Sequence, residues 1–282
     1  MYYNTQVSFL IRIFHWPKEE KLSKLVFFDI DGTIWDDNMV IPDSTVEAIR
    51  ALRANGHKAF LCSGRARASI TAQNLLDIGF DGIIAACGTY VEMDGEVLFE
   101  RLLSEETVSR ILTVCSEAKL PVVLEGPRDY WIDSKGFEED PYIDYLFLDL
   151  GKHAHNIEGY EGKIEINKFS ADVLEKTDYN RIKEVFSEEF NILEHTPVVI
   201  EFVPKGFSKK AGIEWLCKYL NVEMEDTYAL GDSINDLEML AAVGHGIAMG
   251  NGTRPAKEAA EYITTDIWDN GVRNALENYG LI

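Results

Sequence analysis

The stretch LVFFDIDGTIW, residues 25–35, decides how the rest of the chain is read. An apolar run, Leu25 to Phe28, breaks into two carboxylates, Asp29 and Asp31, and then into Gly32 and Thr33. Asp-Gly between apolar runs is the commonest hairpin signal, and in a hairpin the partner strand follows at once. Here the chain runs instead into PDSTVEAIRALRANG (42–56), where Val46, Ile49 and Leu52 share one helical face and Gly56 supplies a stop. Ser44 with Glu47 three residues on predicts a capping box. KAFLCSGR (58–65) is a second apolar run ending in Ser63 and Gly64. A second helical stretch follows over 67–78, and GIIAACG (82–88) is a third run.

Strand, helix, strand, helix, strand is the grammar of a parallel sheet with crossover helices, and it argues against the hairpin. Continuous apolar runs belong to strands buried on both faces. The expected class is therefore α/β, a Rossmann-like parallel-sheet core. Ligands of such sheets bind beyond the carboxyl ends of the strands, where Asp29, Asp31 and Ser63 fall.

From about residue 90 the texture changes. TYVEMDGEVLFE (89–100) reads as a hairpin turning at Asp94-Gly95, and SEETVSRILTVCSEA (104–118) as an amphipathic helix opened by Ser104. PVVLEG, RDYWID and GKIEINKFS predict strands and DYNRIKEVFSEEF a helix, the composition of a separate α+β domain. After 205 the first grammar returns: a helix in SKKAGIEWLCKYL, a strand in TYALGD ending at Asp232, a helix in NDLEMLAAV, and two short strands. The expected organisation is an extension over 1–23, a core over 24–89 and 201–282, and an inserted α+β cap over 90–200.

The 282 residues carry a formal net charge of −21, and residues 90–200 alone hold 25 acidic against 11 basic side chains. Such a surface lacks the basic footprint that nucleic acid and anionic membrane require, so neither is expected as a partner. No apolar stretch reaches the roughly 18 residues of a membrane span. VSFLIRIFHW (7–16) is interrupted by Arg12 and has no small-residue cleavage site after it, so a secretory leader is not expected. Four widely spaced cysteines form no C-x-x-C pair; reduced thiols and a cytoplasmic protein are expected.

Polar groups cluster at the loop ends of the core: Asp29 with Asp31, Ser63, Lys209, and Asp232 with Asp236. Each is weak alone, since an aspartate at a strand end is ordinarily a turn residue and Lys209 beside Lys210 ordinarily a solvated face. Together they offer hard oxygens of the kind Mg²⁺ prefers, with a lysine and a hydroxyl suited to a phosphoryl group. A carboxylate nucleophile beside a second carboxylate can run covalent phosphoryl transfer.

In order, DIDGTI, CSGR, PKGFSKKAG and GDSINDLEML resemble the four motifs of the haloacid dehalogenase-like phosphatases, and most closely the Cof-type branch. The resemblance covers about 23–282 and is dense in the core but almost absent from the insert. It implies Asp29 as the nucleophile that becomes an aspartyl-phosphate, and Asp31 as the acid that protonates the leaving oxygen and then, as base, activates water. It further implies Ser63, Gly64, Lys209 and Asn235 around the phosphoryl oxygens. Asp29, the Asp31 carbonyl and Asp232 match the Mg²⁺ ligands, with Asp236, Gly32 and Thr33 in support. Only 33 residues separate Asp29 from Ser63, whereas 145 separate Ser63 from Lys209, which puts the insert after the third strand, the cap position of that branch. Two positions depart from the pattern: Cys87-Gly88 stands where the family commonly has Asn-Gly, and Lys209-Lys210 where it commonly has Lys-Gly.

Three further features invite a role. His153 and His155 offer a metal pair or, more plainly, a loop surface. Arg128, Tyr130 and Trp131 offer substrate contacts or a packed cap interior. Cys87 lies near a strand end, but no base accompanies it, which favours a small core residue. The expected activity is Mg²⁺-dependent hydrolysis of a small phosphorylated metabolite, by family analogy a sugar phosphate. A phosphosugar mutase using the same phosphoenzyme and a catalytically idle binding protein of the same fold are the alternatives. Oligomeric state and the identity of the ester are not encoded in any motif.

Overall fold

The computed structural model describes residues 23–137 and 140–282. The extension read over 1–23 lies outside them except for Ser23. In chain order the strands are β1 (Leu25–Phe28), β2 (Lys58–Cys62), β3 (Gly82–Ala85), β4 (Tyr90–Met93), β5 (Glu96–Glu100), β6 (Val122–Glu125) and β7 (Tyr130–Ile132). They continue as β8 (Ala154–Asn156), β9 (Lys168–Asp172), β10 (Phe190–Glu194), β11 (Val199–Pro204), β12 (Thr227–Gly231), β13 (His245–Ala248) and β14 (Tyr262–Ile263).

Eight of them form one sheet in the order β14-β13-β12-β1-β2-β3-β4-β5, parallel from β14 to β3. Both faces are covered, as parallel strands require. Val26 and Phe28 enter one buried cluster with Ile49, Leu52 and Leu61, while Leu25 and Phe27 enter the opposite one with Phe60, Ile213 and Leu216. β1 sits centrally, between β2 on one side and β12 on the other. The strand order reverses there, so the crevice at the end of β1 is the binding position of a doubly wound sheet.

The remaining six strands form a second sheet, order β10-β11-β9-β6-β7-β8. One of its faces is apolar. Leu124, Phe169, Ala171, Ile200 and Phe202 pack there with Phe186 and Phe190, and the Phe169 and Phe202 rings stack at 4.2 Å.

Several expectations shift. The hairpin β4–β5 does not open the insert; β4 pairs antiparallel with β3 and extends the core sheet. At the other end β11 belongs to the small sheet through Pro204. Sheet membership thus moves the insert's limits inward from 90 and outward from 200. The capping box at Ser44 does not form, because Pro42 is already extended (φ −63°, ψ 139°) and the helix begins at Asp43. The second helical stretch shrinks to a turn at Arg67–Ser69 and a short helix at Gln73–Leu76, and of GKIEINKFS only Lys168 onward is strand. A helix at Pro141–Leu150, capped by Asp140 with proline in its first turn, was not read from the sequence. No helix among the described residues is long and apolar enough to cross a membrane.

Because Phe169 is fully buried against three other phenylalanine rings, Phe169→Ala is expected to cost about 3–5 kcal/mol of stability. Denaturant unfolding measures it, and a loss under about 1 kcal/mol would contradict the packing described.

Candidate active site

The four motifs converge at the ends of β1, β2 and β12. The Asp29 amide donates to the Leu230 carbonyl at 3.0 Å, tying the end of β1 to β12. Its carboxylate is buried and accepts a 2.6 Å bond from Lys209 Nζ. Lys209 opens the helix Lys209–Leu220, capped by the Ser208 hydroxyl. Its ammonium also donates to Asp236 Oδ1 at 2.6 Å and to Asn235 Oδ1 at 3.4 Å. Lys210 instead faces outward, 3.7 Å from Glu214. The depth of Lys209 depends on glycine: a Cβ at Gly212 would collide with Ile84 and with the Cα of Gly88, so only glycine lets that helix start press on the turn after β3.

Asp236 is fully buried and has no oxygen to spare. Oδ1 holds Lys209, while Oδ2 accepts the amides of Asp232 (2.9 Å) and Ser233 (3.0 Å). It thereby shapes the loop that presents Asp232, which also accepts the Thr33 hydroxyl at 3.2 Å. Gly32 lies against the Asp232 carboxylate with φ +77°, and any Cβ there would strike it. Asn251 braces the same loop by donating to the Gly32 carbonyl at 2.7 Å.

Carboxylate oxygens of Asp29, Asp232 and Asp236 lie within 4.8 Å of one another. With all three carboxylates ionised, the group and Lys209 would carry a net of −2, which a divalent cation would cancel. Hard oxygens in that balance fit Mg²⁺. Burial, and next the charge of Asp236, push Asp232 up to about 7 and push Asp29 well above the usual carboxylate range against the pull of Lys209. Burial also works against the Lys209 ammonium, but the flanking Asp236 and Asp29 outweigh it and hold it charged. Since the free oxygens are those of Asp29 and Asp232, a cation would sit on those two, with Asp236 supporting from behind.

Asp31 stands apart. Its side chain is 52% exposed and grips Arg65 with both oxygens, at 2.8 Å each, while Trp35 Nε1 donates to it at 2.9 Å. Burial works to raise its pKa, but the Arg65 bonds outweigh this and keep it below the ordinary value. The Arg65 guanidinium also lies over the Trp35 ring at 5.4 Å. Ser63 is buried and its hydroxyl accepts the Arg65 amide at 3.1 Å.

Ser63, Gly64 and Asn235 line, with Asp29 and Asp31, a cavity of about 620 Å³ closed on its far side by the small sheet. Among the cap candidates Tyr130 lines this space and its hydroxyl lies 2.9 Å from Ser69 Oγ of the core. Trp131 points to the other face of the sheet and is buried in the apolar cluster. Arg128 is exposed, paired with Glu100 and Glu165. His153 and His155 both bond Asp129 Oδ1, at 3.1 and 3.2 Å, and His155 packs on Trp131 and Tyr160. Cys87 is buried, and burial pushes its thiol well up, which fits the small core residue rather than a nucleophile.

The cavity wall also carries side chains no motif announced. Lys168 Nζ lies 2.7 Å from both Glu125 Oε2 and Glu201 Oε1, and all three are at least nine-tenths buried. Burial disfavours the Glu201 carboxylate, but Lys168 and His195, 2.7 Å away, hold it at about 2. Only period-2 alternation in KFSAD (168–172), polar against apolar, hinted at a second buried face.

Residues 26–276 match the sequence profile of the haloacid dehalogenase-like hydrolases. The chain is 31% identical to YkrA of Bacillus subtilis (strain 168), a phosphatase by name, over 92% of this chain and 99% of that one. It is 27% identical to the 5-amino-6-(5-phospho-D-ribitylamino)uracil phosphatase YcsE of the same organism, over 94% and 98%. Among solved structures, a Geobacillus kaustophilus HTA426 protein superposes with TM-score 0.79 at 28% identity, covering 92% of this chain and all of that one. The subclass IIB sugar phosphatase BT4131 superposes at 0.76 and 26%, again over 92% and 100%.

Two outcomes are expected from this geometry. If the carboxylate group holds a divalent cation, Gly32→Ala should weaken its binding at least about tenfold by titration calorimetry, because the added Cβ displaces the Asp232 carboxylate; unchanged affinity would contradict that contact. Glu201, held at about 2 in the fold and about 4.3 when unfolded, contributes stability that is present above the unfolded value and lost as pH falls toward the folded one. The stability of Glu201→Gln should therefore fall less steeply than wild type between about pH 4.5 and 2. Parallel urea-unfolding profiles over that window would contradict it.

Proposed function

Because the chain belongs to the haloacid dehalogenase-like hydrolases, in their Cof-type branch, and is a phosphatase, we propose that it hydrolyses small phosphomonoesters through an aspartyl-phosphate on Asp29, with Mg²⁺ as cofactor. The observation that carries this reading is a buried Asp29 carboxylate, held on one side by Lys209 and open on the other to a 620 Å³ cavity. A carboxylate so placed faces a phosphorus bound in that cavity.

An Asp29 oxygen bonds to phosphorus as the ester P–O bond breaks, and Asp31 passes its proton to the departing oxygen. Asp31, now a carboxylate, takes a proton from water. That water's oxygen bonds to phosphorus as the bond to Asp29 breaks, releasing inorganic phosphate and regenerating Asp29. The Lys209 ammonium, the Ser63 hydroxyl and Asn235 hold the phosphoryl oxygens. When bound at Asp29, Asp232 and, by the family resemblance, the Asp31 carbonyl, Mg²⁺ supplies positive charge against the phosphoryl oxygens. The Arg65 pair favours the ionised Asp31 that the second step uses; in the first step the arriving ester must loosen it.

Sugar phosphates or related metabolites are the substrate class, supported by the sugar phosphatase and ribitylamino-uracil phosphatase among the similar proteins. Four buried free thiols fit a reducing, cytoplasmic compartment. Phosphate release from a panel of monoesters should require Mg²⁺, stop with chelator, and fall on the order of 10⁴-fold or more in Asp29→Asn. Isomerised ester without free phosphate would instead identify a mutase, and wild-type rates in Asp29→Asn would overturn the mechanism.

A further inference from the structure

The small sheet has two buried faces, and one of them is charged. Strand register puts Glu125 opposite Lys168 and Glu201 opposite Ser170, so Glu125, Lys168 and Glu201 stand on the same side as Val123 and Ser170. That side lines the cavity. The group is also next to the phosphoryl-binding loops: Glu201 Oε1 is 3.8 Å from Cys87 Sγ, and the Cys87 amide donates to the Ser63 carbonyl at 3.2 Å. An ester with its phosphorus at Asp29 would extend its leaving group to this wall.

Apolar side chains would pack such a wall more favourably than three desolvated charges, so the fold alone gives no reason for them. Their chemistry fits a ligand. Two carboxylates share one ammonium, with His195 on Glu201 Oε2, and keep several acceptor lone pairs, which suit hydroxyl donors. The Tyr130 hydroxyl, 3.1 Å from Glu125 Oε2, adds a polar group on the same wall. Further along the cavity Asp140, Asp149 and Asp172 form no ion pair among the described residues. A second phosphate or carboxylate on the leaving group would meet like charge there.

We propose that Glu125, Lys168 and Glu201 are the specificity-determining residues of this enzyme. They receive the hydroxyl groups of a neutral polyhydroxy leaving group and reject one that carries a second anion. The inference rests on the phosphatase reading above and adds the leaving-group site to it.

The test compares kcat/KM for three kinds of ester: hexose and hexitol monophosphates, hexose 1,6-bisphosphate with 3-phosphoglycerate, and phenyl phosphate, which has no hydroxyl group. The wild type should favour its best polyol monophosphate over both doubly anionic esters by at least tenfold. In Glu201→Gln and Glu125→Gln, kcat/KM for that polyol ester should fall at least tenfold further than for phenyl phosphate, mainly through KM. The gap to the bisphosphate should narrow. Lys168→Met strands two buried carboxylates, so the neutral triple variant Glu125→Gln, Lys168→Met, Glu201→Gln, checked for folding by thermal melting, reports on the lysine. Equal losses on phenyl and polyol esters would make the cluster merely structural and overturn the proposal, as would a wild-type preference for the bisphosphate. Absence of Mg²⁺-dependent release even from phenyl phosphate would contradict the phosphatase reading itself and remove the basis of this one.

Discussion

The Lys209 ammonium, buried between Asp29 and Asp236, is the interaction on which the rest of the site depends. It joins β1, the Lys209–Leu220 helix and the loop after β12, elements from both ends of the chain. A buried charge is tolerated only when paired and hydrogen-bonded, and here each partner is in turn fixed. Asp29 is held by its amide on Leu230, and Asp236 by the amides of Asp232 and Ser233. The pairing also sets three carboxylates against a single ammonium, an arrangement that a divalent cation complements by favouring their ionised forms.

The second constraint is the cap. Its small sheet spends one face on a phenylalanine cluster and turns the other, charged face toward the nucleophile. The Tyr130–Ser69 contact and an apolar group joining Ala66, Ala68 and Ala86 of the core to Val123, Ile132 and Ile143 of the cap close the cavity between them. One strand period therefore writes both the stability of the insert and the lining of the pocket.

The core was legible because its signals are local. Leu25–Phe28 reads as a doubly buried strand, and the motif residues fall at strand ends in any parallel arrangement. The insert was less so. The hairpin at Asp94-Gly95 was visible, but whether β4 pairs with β3 or with the cap is a long-range choice. Pro42 overrode the Ser44–Glu47 pattern by starting the helix early. In the site, Asp29, Asp31, Ser63, Lys209 and Asp232 stood out as polar residues at the ends of expected strands and helices, and their roles came from the family resemblance. The grip of Arg65 on Asp31 could not, although Arg65 lay within a quoted motif, because nothing in sequence says where a guanidinium points. Glu125, Lys168 and Glu201 are far apart in sequence and meet only through sheet register. Cys87 shows the converse: its φ of 52°, following Ala86 at 49°, is a left-handed conformation that asparagine tolerates better, which gives a backbone reason for the family's usual residue there.

The central claim is that the phosphoryl group passes through Asp29. Enzyme mixed with Mg²⁺ and a turned-over phosphomonoester, quenched in acid and reduced with borohydride, converts an acyl phosphate to an alcohol that peptide mass spectrometry can locate. The account predicts homoserine at position 29, dependent on both substrate and Mg²⁺. Rapid phosphate release with Asp29 unmodified under every quench time, or homoserine at another aspartate, would contradict it.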